Sequence, residues 1–287
     1  MPSRRIPFSV HIAYLFVGLL LAFAAISNTF QFNETRRLIT QEAAERYTLI
    51  GKQAINELGY TYNDAVLAST LLAKQRLMRA TNLPQRLESL SWLAAALHAQ
   101  PNANAMFMGY ETGDFFLLRP WLGDAKLQAL FNPPPNTGWI VQSVEVQGDK
   151  KIGQYLFFSP DLALLERRNM PDYKYDPRTR QWYQKALHSS GVFVQPPYVF
   201  SSTGEVGSTF AKEADNGLAV SGVDITLRSI NQILSSNKVT PNTHIALINS
   251  RGEVLSSSLG PSALIATEDG AGRLPRVADL DLHVLEQ

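Results

Sequence analysis

Hydrophobic and polar positions follow three different rhythms along this chain. From Phe8 to Ile26 the run Phe-Ser-Val-His-Ile-Ala-Tyr-Leu-Phe-Val-Gly-Leu-Leu-Leu-Ala-Phe-Ala-Ala-Ile is almost unbroken apolar sequence. It matches the ~20 residues a helix needs to cross a bilayer. Over residues 29–80 apolar positions recur at spacings of three and four (Ile39, Ala43, Tyr47, Ile50, Ala54, Leu58) with Glu, Arg, Lys and Gln between them. That spacing predicts a long amphipathic helix. A break is expected near Gly59-Tyr60-Thr61, with the pattern resuming from Ala65 to Met78. A further helix is predicted from Pro84, well suited to a first helical position, through Trp92 to His98.

From Asn104 the rhythm becomes that of strands. Ala105–Tyr110 and Asp114–Arg119 flank Glu111-Thr112-Gly113 as a hairpin, and Trp139–Val146 and Ile152–Phe158 flank Gln147-Gly148-Asp149 as a second. Asn132–Gly138, with three prolines, is loop by composition. A short helix is predicted over Trp182–His188. Strands are predicted over Tyr198–Ser202, Ser208–Lys212 and Leu218–Ile225, and helical spacing over Ile225–Leu234. His244–Asn249 and Glu253–Leu255 around Ser250-Arg251-Gly252 form a last hairpin, which opens a second, smaller unit. The tail from Gly260 carries no second apolar span.

Composition narrows the partners. The length allows one large domain or two small ones. A net charge of +1 with no basic run argues against nucleic acid. The absence of cysteine excludes a disulfide framework and thiol chemistry. Arg4 and Arg5 before the apolar run leave the N-terminus cytoplasmic and export the chain beyond the run. The rival reading is a cleaved signal peptide, because Ala22-Phe23-Ala24 has the small-x-small form of a processing site. The run is longer than a usual signal core, which favours an uncleaved anchor.

Chemistry concentrates in Tyr175-Asp-Pro-Arg-Thr-Arg-Gln-Trp-Tyr183, followed by Tyr198 and by Asp224 in Gly222-Val-Asp-Ile225. A guanidinium pairs bidentately with a carboxylate, an aspartate accepts from an ammonium, and aromatic faces exclude water. Those partners suit a free amino acid. A surface arginine pair beside a core tryptophan would use the same residue types.

The membrane-emergent helix, the strand-rich middle and the final hairpin together resemble a double Cache domain, the tandem PAS-like extracytoplasmic sensor of bacterial receptors. The match is carried by Met108–Phe115, by Tyr175–Tyr183 and by Ala219-Val-Ser-Gly-Val-Asp-Ile-Thr-Leu227. The resemblance implies an α+β fold: a transmembrane helix, a long stalk helix, then an antiparallel-sheet PAS-like domain, with a second subdomain left incomplete. The boundaries it implies are 1–28 for the cytoplasmic N-terminus and transmembrane helix and 29–100 for the stalk and packing helices. The membrane-distal ligand-binding subdomain would take 101–235, and the start of the membrane-proximal one 236–287.

Within that family the chain is similar to the amino-acid-binding branch, whose Arg-x-Trp-Tyr element is met here by Arg180-Gln181-Trp182-Tyr183. The resemblance implies that Arg180 and Trp182 hold a ligand carboxylate, while Tyr183, Tyr198 and Asp224 hold its ammonium. Tyr155 stands about where an upstream tyrosine belongs, with Tyr173 and Tyr175 as alternatives. It further implies a homodimer through the stalk helix in the bacterial inner membrane, with the sensor in the periplasm. The small-molecule partner would be an amino acid, an amine or a carboxylate, and no cofactor is expected. Members usually continue into a second membrane helix and an output module, so this chain is expected to be a fragment of a longer receptor.

Signs of catalysis are sparse. The five histidines, His11, His98, His188, His244 and His283, are scattered without metal-ligand spacing. Ser235-Ser-Asn-Lys238 fits Ser-x-x-Lys without its companion motifs, and reads better as a helix end. An enzyme is therefore not expected in this stretch. The competing class is an exported binding or adhesion module without output; a hydrolase would need a nucleophile–base pair that the motifs do not supply.

Overall fold

The computed structural model describes residues 8–279 apart from 124, 201, 202, 204, 239, 241, 242 and 259–272. Arg4, Arg5, Ser201, Ser202, His283 and most of the tail from Gly260 thus lie outside the described residues. The chain divides into two units, Met1–Gln53 and Ala54–Gln287.

The described residues of the first unit are helical. Helix α1 runs Phe8–Leu72, and its apolar N-terminal portion is the one helix among the described residues long and apolar enough to cross a membrane. The expected break near Gly59 does not occur. Gly59-Tyr60-Thr61 is helical, and a Cβ at Gly59 would meet nothing, so the glycine relieves no crowding there. The helix ends at Leu72, earlier than expected, and a 3₁₀ turn follows at Arg76–Arg79.

The second unit is built on an eight-stranded antiparallel sheet in the order β5-β4-β3-β2-β1-β8-β7-β6. The strands are β1 (Ala103–Tyr110), β2 (Phe115–Pro120), β3 (Trp139–Gln147), β4 (Lys150–Phe158), β5 (Leu164–Asn169), β6 (Phe193–Val199), β7 (Val206–Glu213) and β8 (Ala219–Thr226). The helix expected over Pro84–His98 is two helices, α2 (Leu83–Leu87) and α3 (Leu90–His98). Asn82 caps α2 by accepting the backbone N–H of Gln85.

One sheet face packs on helices. Met106, Met108, Phe116, Leu118, Val141, Leu156, Phe210, Val223 and Ile225 join Ala65, Ala68 and Leu72 of α1 and Leu90, Leu93 and Leu97 of α3 in one core. The opposite face carries Ala105, Phe107, Phe115, Leu117 and Val144, covered by α5 (Gln181–Ala186) and the loop before it. Strands β1 and β8 are buried on both faces, so they read as continuous apolar and small runs rather than alternation.

Three more elements, β6, β5 and a helix before β3, also depart from the sequence expectation. The strand expected to begin at Tyr198 begins at Phe193, and Pro196-Pro197 lie inside it at a register shift between Gln195 and Tyr198. Proline is tolerated there because β6 is an edge strand and the bulge requires no ladder donor. Strand β5 was not expected, because Leu-Leu-Glu-Arg-Arg-Asn is a charged, largely exposed edge strand with no apolar alternation. Helix α4 (Ala125–Phe131) was likewise not expected; its Leu127 and Phe131 pack with Ile140 and Phe157.

After β8, α6 (Arg228–Ser236) begins later than predicted, because Ile225 and Thr226 still belong to the sheet. The last hairpin forms as β9 (Ala246–Ile248) with β10 (Val254–Ser257).

Candidate functional site

On the sheet face opposite α1 and α3 lies a cavity of about 480 Å³. Tyr155, Arg180, Trp182, Tyr198 and Asp224 line it, together with Phe107, Phe115, Leu117, Phe131, Gln142, Tyr173 and Tyr175. The volume falls in the ~300–1,000 Å³ range of small-molecule sites, and the wall combines many rings with the charged side chains Asp172, Lys174, Arg180 and Asp224.

Strand alternation supplies the floor. In β8, Val223 and Ile225 turn into the helix-side core while Asp224 lines the cavity. Its cross-strand neighbour on β7 is Thr209, whose hydroxyl reaches Asp224 Oδ1 at 2.5 Å. Tyr198 Oη on β6 lies 2.8 Å from Thr209 Oγ1, so three side chains from three adjacent strands form one chain of hydrogen bonds.

The covering loop is fixed by close approach. The Pro177 ring occupies the space that a Cβ at Gly109 would take, so the loop can rest on β1 only over a glycine. Asp176 accepts from Lys151 Nζ at 2.9 Å and from Arg178 at 2.9 and 3.0 Å. These donors hold its carboxyl well below the usual carboxylate range, with the Arg178 bond the largest cause.

The two arginines of the loop therefore separate. Arg178 pairs with Asp176 and donates to the Glu111 carbonyl, over Gly113. Arg180 lies with its guanidinium 4.6 Å from the Tyr175 ring centre and, among the described residues, forms no ion pair with an acidic side chain.

The aromatic wall is continuous. Trp182 Nε1–H donates to Tyr175 Oη at 3.2 Å, and Trp182 meets Phe107 edge-on at 5.0 Å. Tyr175 packs on Phe115 at 4.5 Å and stacks on Tyr173, which meets Tyr155 at 5.2 Å. Of the three candidate upstream tyrosines all line the cavity, but Tyr175 is the one that touches both Arg180 and Trp182. Tyr155 sits farther along, against Phe131.

Tyr183 does not line the cavity. Its ring is buried edge-on against Trp182 at 5.6 Å, because consecutive positions of α5 point in directions about 100° apart. Sequence reasoning also passed over Thr209, Gln142 and Arg119. The signal for Arg119 was a charge ending the apolar run Phe115–Leu118 of a central strand; it is 2% exposed with its guanidinium near the Phe131 ring.

Burial sets the electrostatics. It pushes the Asp224 carboxyl up to about 7, against the opposing pull of the Thr209 hydroxyl and the Arg119 charge. Burial also raises the Tyr198 hydroxyl, with the Asp224 charge adding to it, and takes Tyr175 up to about 12. For Arg119 burial lowers the pKa, while Asp224, Tyr173 and Tyr155 favour its charged form. Among the described residues no group of three or more His, Asp or Glu side chains is placed to hold a metal ion.

Residues 130–232 match the family described as methyl-accepting chemotaxis protein-like, first PDC sensor domain. Across 247 residues, 84% of this chain, the sequence is 23% identical to adenylate cyclase 1 of Rhizobium meliloti. Over 84 residues, 28% of this chain, it is 36% identical to the methyl-accepting chemotaxis protein PscA of Pseudomonas syringae. The chain spans 37% of the length of the cyclase and 13% of PscA. Among solved structures it is similar to the ligand-binding domain of the Campylobacter jejuni chemoreceptor Tlp3 in complex with 4-methylisoleucine. That likeness has a TM-score of 0.43 and 16% identity, and covers 72% of this chain and 64% of the other.

Proposed function

We propose that this chain is the extracytoplasmic ligand-sensing part of a bacterial membrane signalling receptor of the double Cache type, and that its cavity holds a free amino acid. One observation carries the reading: a cation on the covering loop, Arg180, and a buried acid on the sheet, Asp224, share one ring-lined cavity. Opposite ends of a zwitterion need opposite partners, and the low-polarity walls strengthen both pairs. Arg180, with Trp182 and Tyr175 beside it, takes the carboxylate; Asp224 and Tyr198 take the ammonium. Tyr183 supports Trp182 from behind rather than touching the ligand. The match of residues 130–232 to a chemoreceptor-type sensor family supports the sensing role.

In the whole receptor the apolar start of α1 anchors the domain in the inner membrane with the sheet unit in the periplasm. The exposed Leu38, Ile39 and Leu49 beyond it support a helix-to-helix homodimer. Ligand would then shift the population between two arrangements of the sheet and the long helix. A second reading has its own observation. With its carboxyl pushed up to about 7, Asp224 is neutral in mildly acidic medium, and the cavity then suits a simple carboxylate held by Arg180.

The test is a thermal-shift screen of the full chain in detergent at pH 8, against the twenty amino acids, small amines and short carboxylates. A ligand at 100 times its Kd stabilises by about 2.7 kcal/mol. The expected result is a shift with one class of amino acid that disappears in Arg180→Ala and Asp224→Asn. A shift with carboxylates alone that survives Asp224→Asn would favour the second reading, and no shift with any compound would remove both.

A further inference from the structure

The three-strand chain Tyr198–Thr209–Asp224 has a direction, and its direction decides which chemical group the cavity accepts. Thr209 is fully buried and Asp224 nearly so, while Tyr198 reaches the cavity wall. A threonine hydroxyl carries one hydrogen and two lone pairs. With Asp224 ionised, its Oδ1 can only accept, so the single Thr209 hydrogen goes to Asp224 at 2.5 Å. The 2.8 Å contact between Tyr198 Oη and Thr209 Oγ1 then has only one consistent donor, the Tyr198 hydroxyl. Its hydrogen is directed away from the cavity, and what Tyr198 presents inward is a lone pair.

We infer that Thr209, which does not itself line the cavity, is the positioning residue that selects an ammonium over a carboxylate or hydroxyl acceptor at this wall. It fixes Tyr198 as an acceptor beside the Asp224 carboxylate. If Asp224 gains a proton the chain can reverse: Asp224 O–H donates to Thr209, Thr209 donates to Tyr198, and the Tyr198 hydrogen turns into the cavity. The same wall then offers a donor. The charged and titratable groups acting with Asp224 are Arg119 from β2, Tyr198 from β6 and Tyr175 from the covering loop; Arg180, Asp172 and Lys174 line the same cavity, and Glu205 acts on Arg119. Among them only the Asp224 carboxyl is shifted to near neutrality, to about 7, so it is the group that reverses the chain.

The inference rests on the amino-acid reading for its ligand, but not for the hydrogen-bond chain, and the experiment separates the two. In ligand-free full-length protein labelled at the aspartate carboxyl carbon, with the Asp224 signal assigned through Asp224→Asn, the Asp224 titration is followed in wild type, Thr209→Val and Thr209→Ser. Loss of the Thr209 hydroxyl removes a bond that favours the carboxylate, so Thr209→Val moves the midpoint to higher pH and Thr209→Ser restores it. An unmoved midpoint in Thr209→Val would overturn the chain.

The twenty L-amino acids and their des-amino carboxylates are then titrated from pH 5 to 8. The expected wild-type preference for the amino acid over its des-amino partner grows as pH rises. It falls roughly tenfold at pH 7 in Thr209→Val, the loss of about one charge-assisted hydrogen bond, and returns in Thr209→Ser. Tyr198→Phe, which deletes the acceptor together with its donation to Thr209 but keeps the Thr209–Asp224 bond, weakens amino acids while moving the Asp224 midpoint less than Thr209→Val does, and serves if Thr209→Val does not fold. A preference independent of pH and of both substitutions would overturn the selection. If no amino acid binds any form while the midpoint moves as expected, it is the amino-acid reading that fails.

Discussion

The sheet carries a buried acid on each face, and the two are treated differently. On the helix side Asp114, at the turn between β1 and β2, is paired with Arg86, accepts the Val146 N–H at 2.7 Å and lies beside Tyr110, whose ring Arg86 also covers. Both partners are almost fully buried, at 1% and 8% side-chain exposure. On the cavity side Asp224 has the Thr209 hydroxyl as its close partner, and Arg119 compensates its charge only at longer range. A carboxylate saturated by a guanidinium and a backbone amide has nothing left to offer a ligand. One compensated by a single hydroxyl is under-solvated, and a bound ammonium would relieve that. The contrast separates an acid that holds the fold from one that is held ready by it.

Removing each acid gives the largest test of that contrast. Asp114→Ala takes the close partner from a fully buried Arg86, leaving Glu145 at 4.0 Å as its remaining acid, and is expected to cost about 3 kcal/mol of stability, read by chemical denaturation. Asp224→Asn keeps the shape and removes a poorly solvated charge, so at pH 8 it should leave stability unchanged or raise it. Equal losses in the two variants would break the distinction.

The next effect is a pH dependence. The folded Asp224 carboxyl titrates at about 7 against an ordinary 3.8. Between about pH 4 and 7 the native state holds a proton that the unfolded chain has released, so this group's contribution to stability falls as pH rises through that window and is level above it. The size is on the order of a few kcal/mol. Melting scans of ligand-free protein should show the decline, and Asp224→Asn should remove that component.

A smaller effect sharpens the boundary of the site. Because Tyr183 packs behind Trp182 and does not line the cavity, Tyr183→Phe should change ligand affinity by less than about twofold, within the few tenths of a kcal/mol typical of substitutions that break no contact. Trp182→Phe, which loses the bond to Tyr175, should weaken binding several-fold in the same calorimetric titration.

Much of this was legible in the sequence, for identifiable reasons. The hairpins β1–β2 and β3–β4 announce themselves through Gly113 and Gly148, both at positive φ in tight turns. The residues that converge on the cavity were legible where they cluster, as Arg180 and Trp182 do, or where an acid sits in an apolar strand, as Asp224 does. Thr209 was not, because a threonine beside Phe210 looks like any strand residue until its cross-strand partner is known. Tyr183 follows Trp182 in the sequence but packs behind it, because successive positions of a helix point about 100° apart. Strand β5 and helix α4 escaped because their pattern is set by the neighbours they lean on rather than by their own composition.

The position of β1 has a consequence for how the domain is made. It pairs on one side with β2, its immediate successor, and on the other with β8, the last strand of the sheet to be synthesised. As the chain emerges, the meander β1–β5 can assemble by local hairpins while β1 keeps an open hydrogen-bonding edge. Only when residues 219–226 arrive is that edge capped, and the same event delivers Asp224 to the cavity. Nascent chains stalled before β8 would thus be both sticky and unable to form the cavity's acidic wall, so that completion of the sheet and competence to bind arrive together.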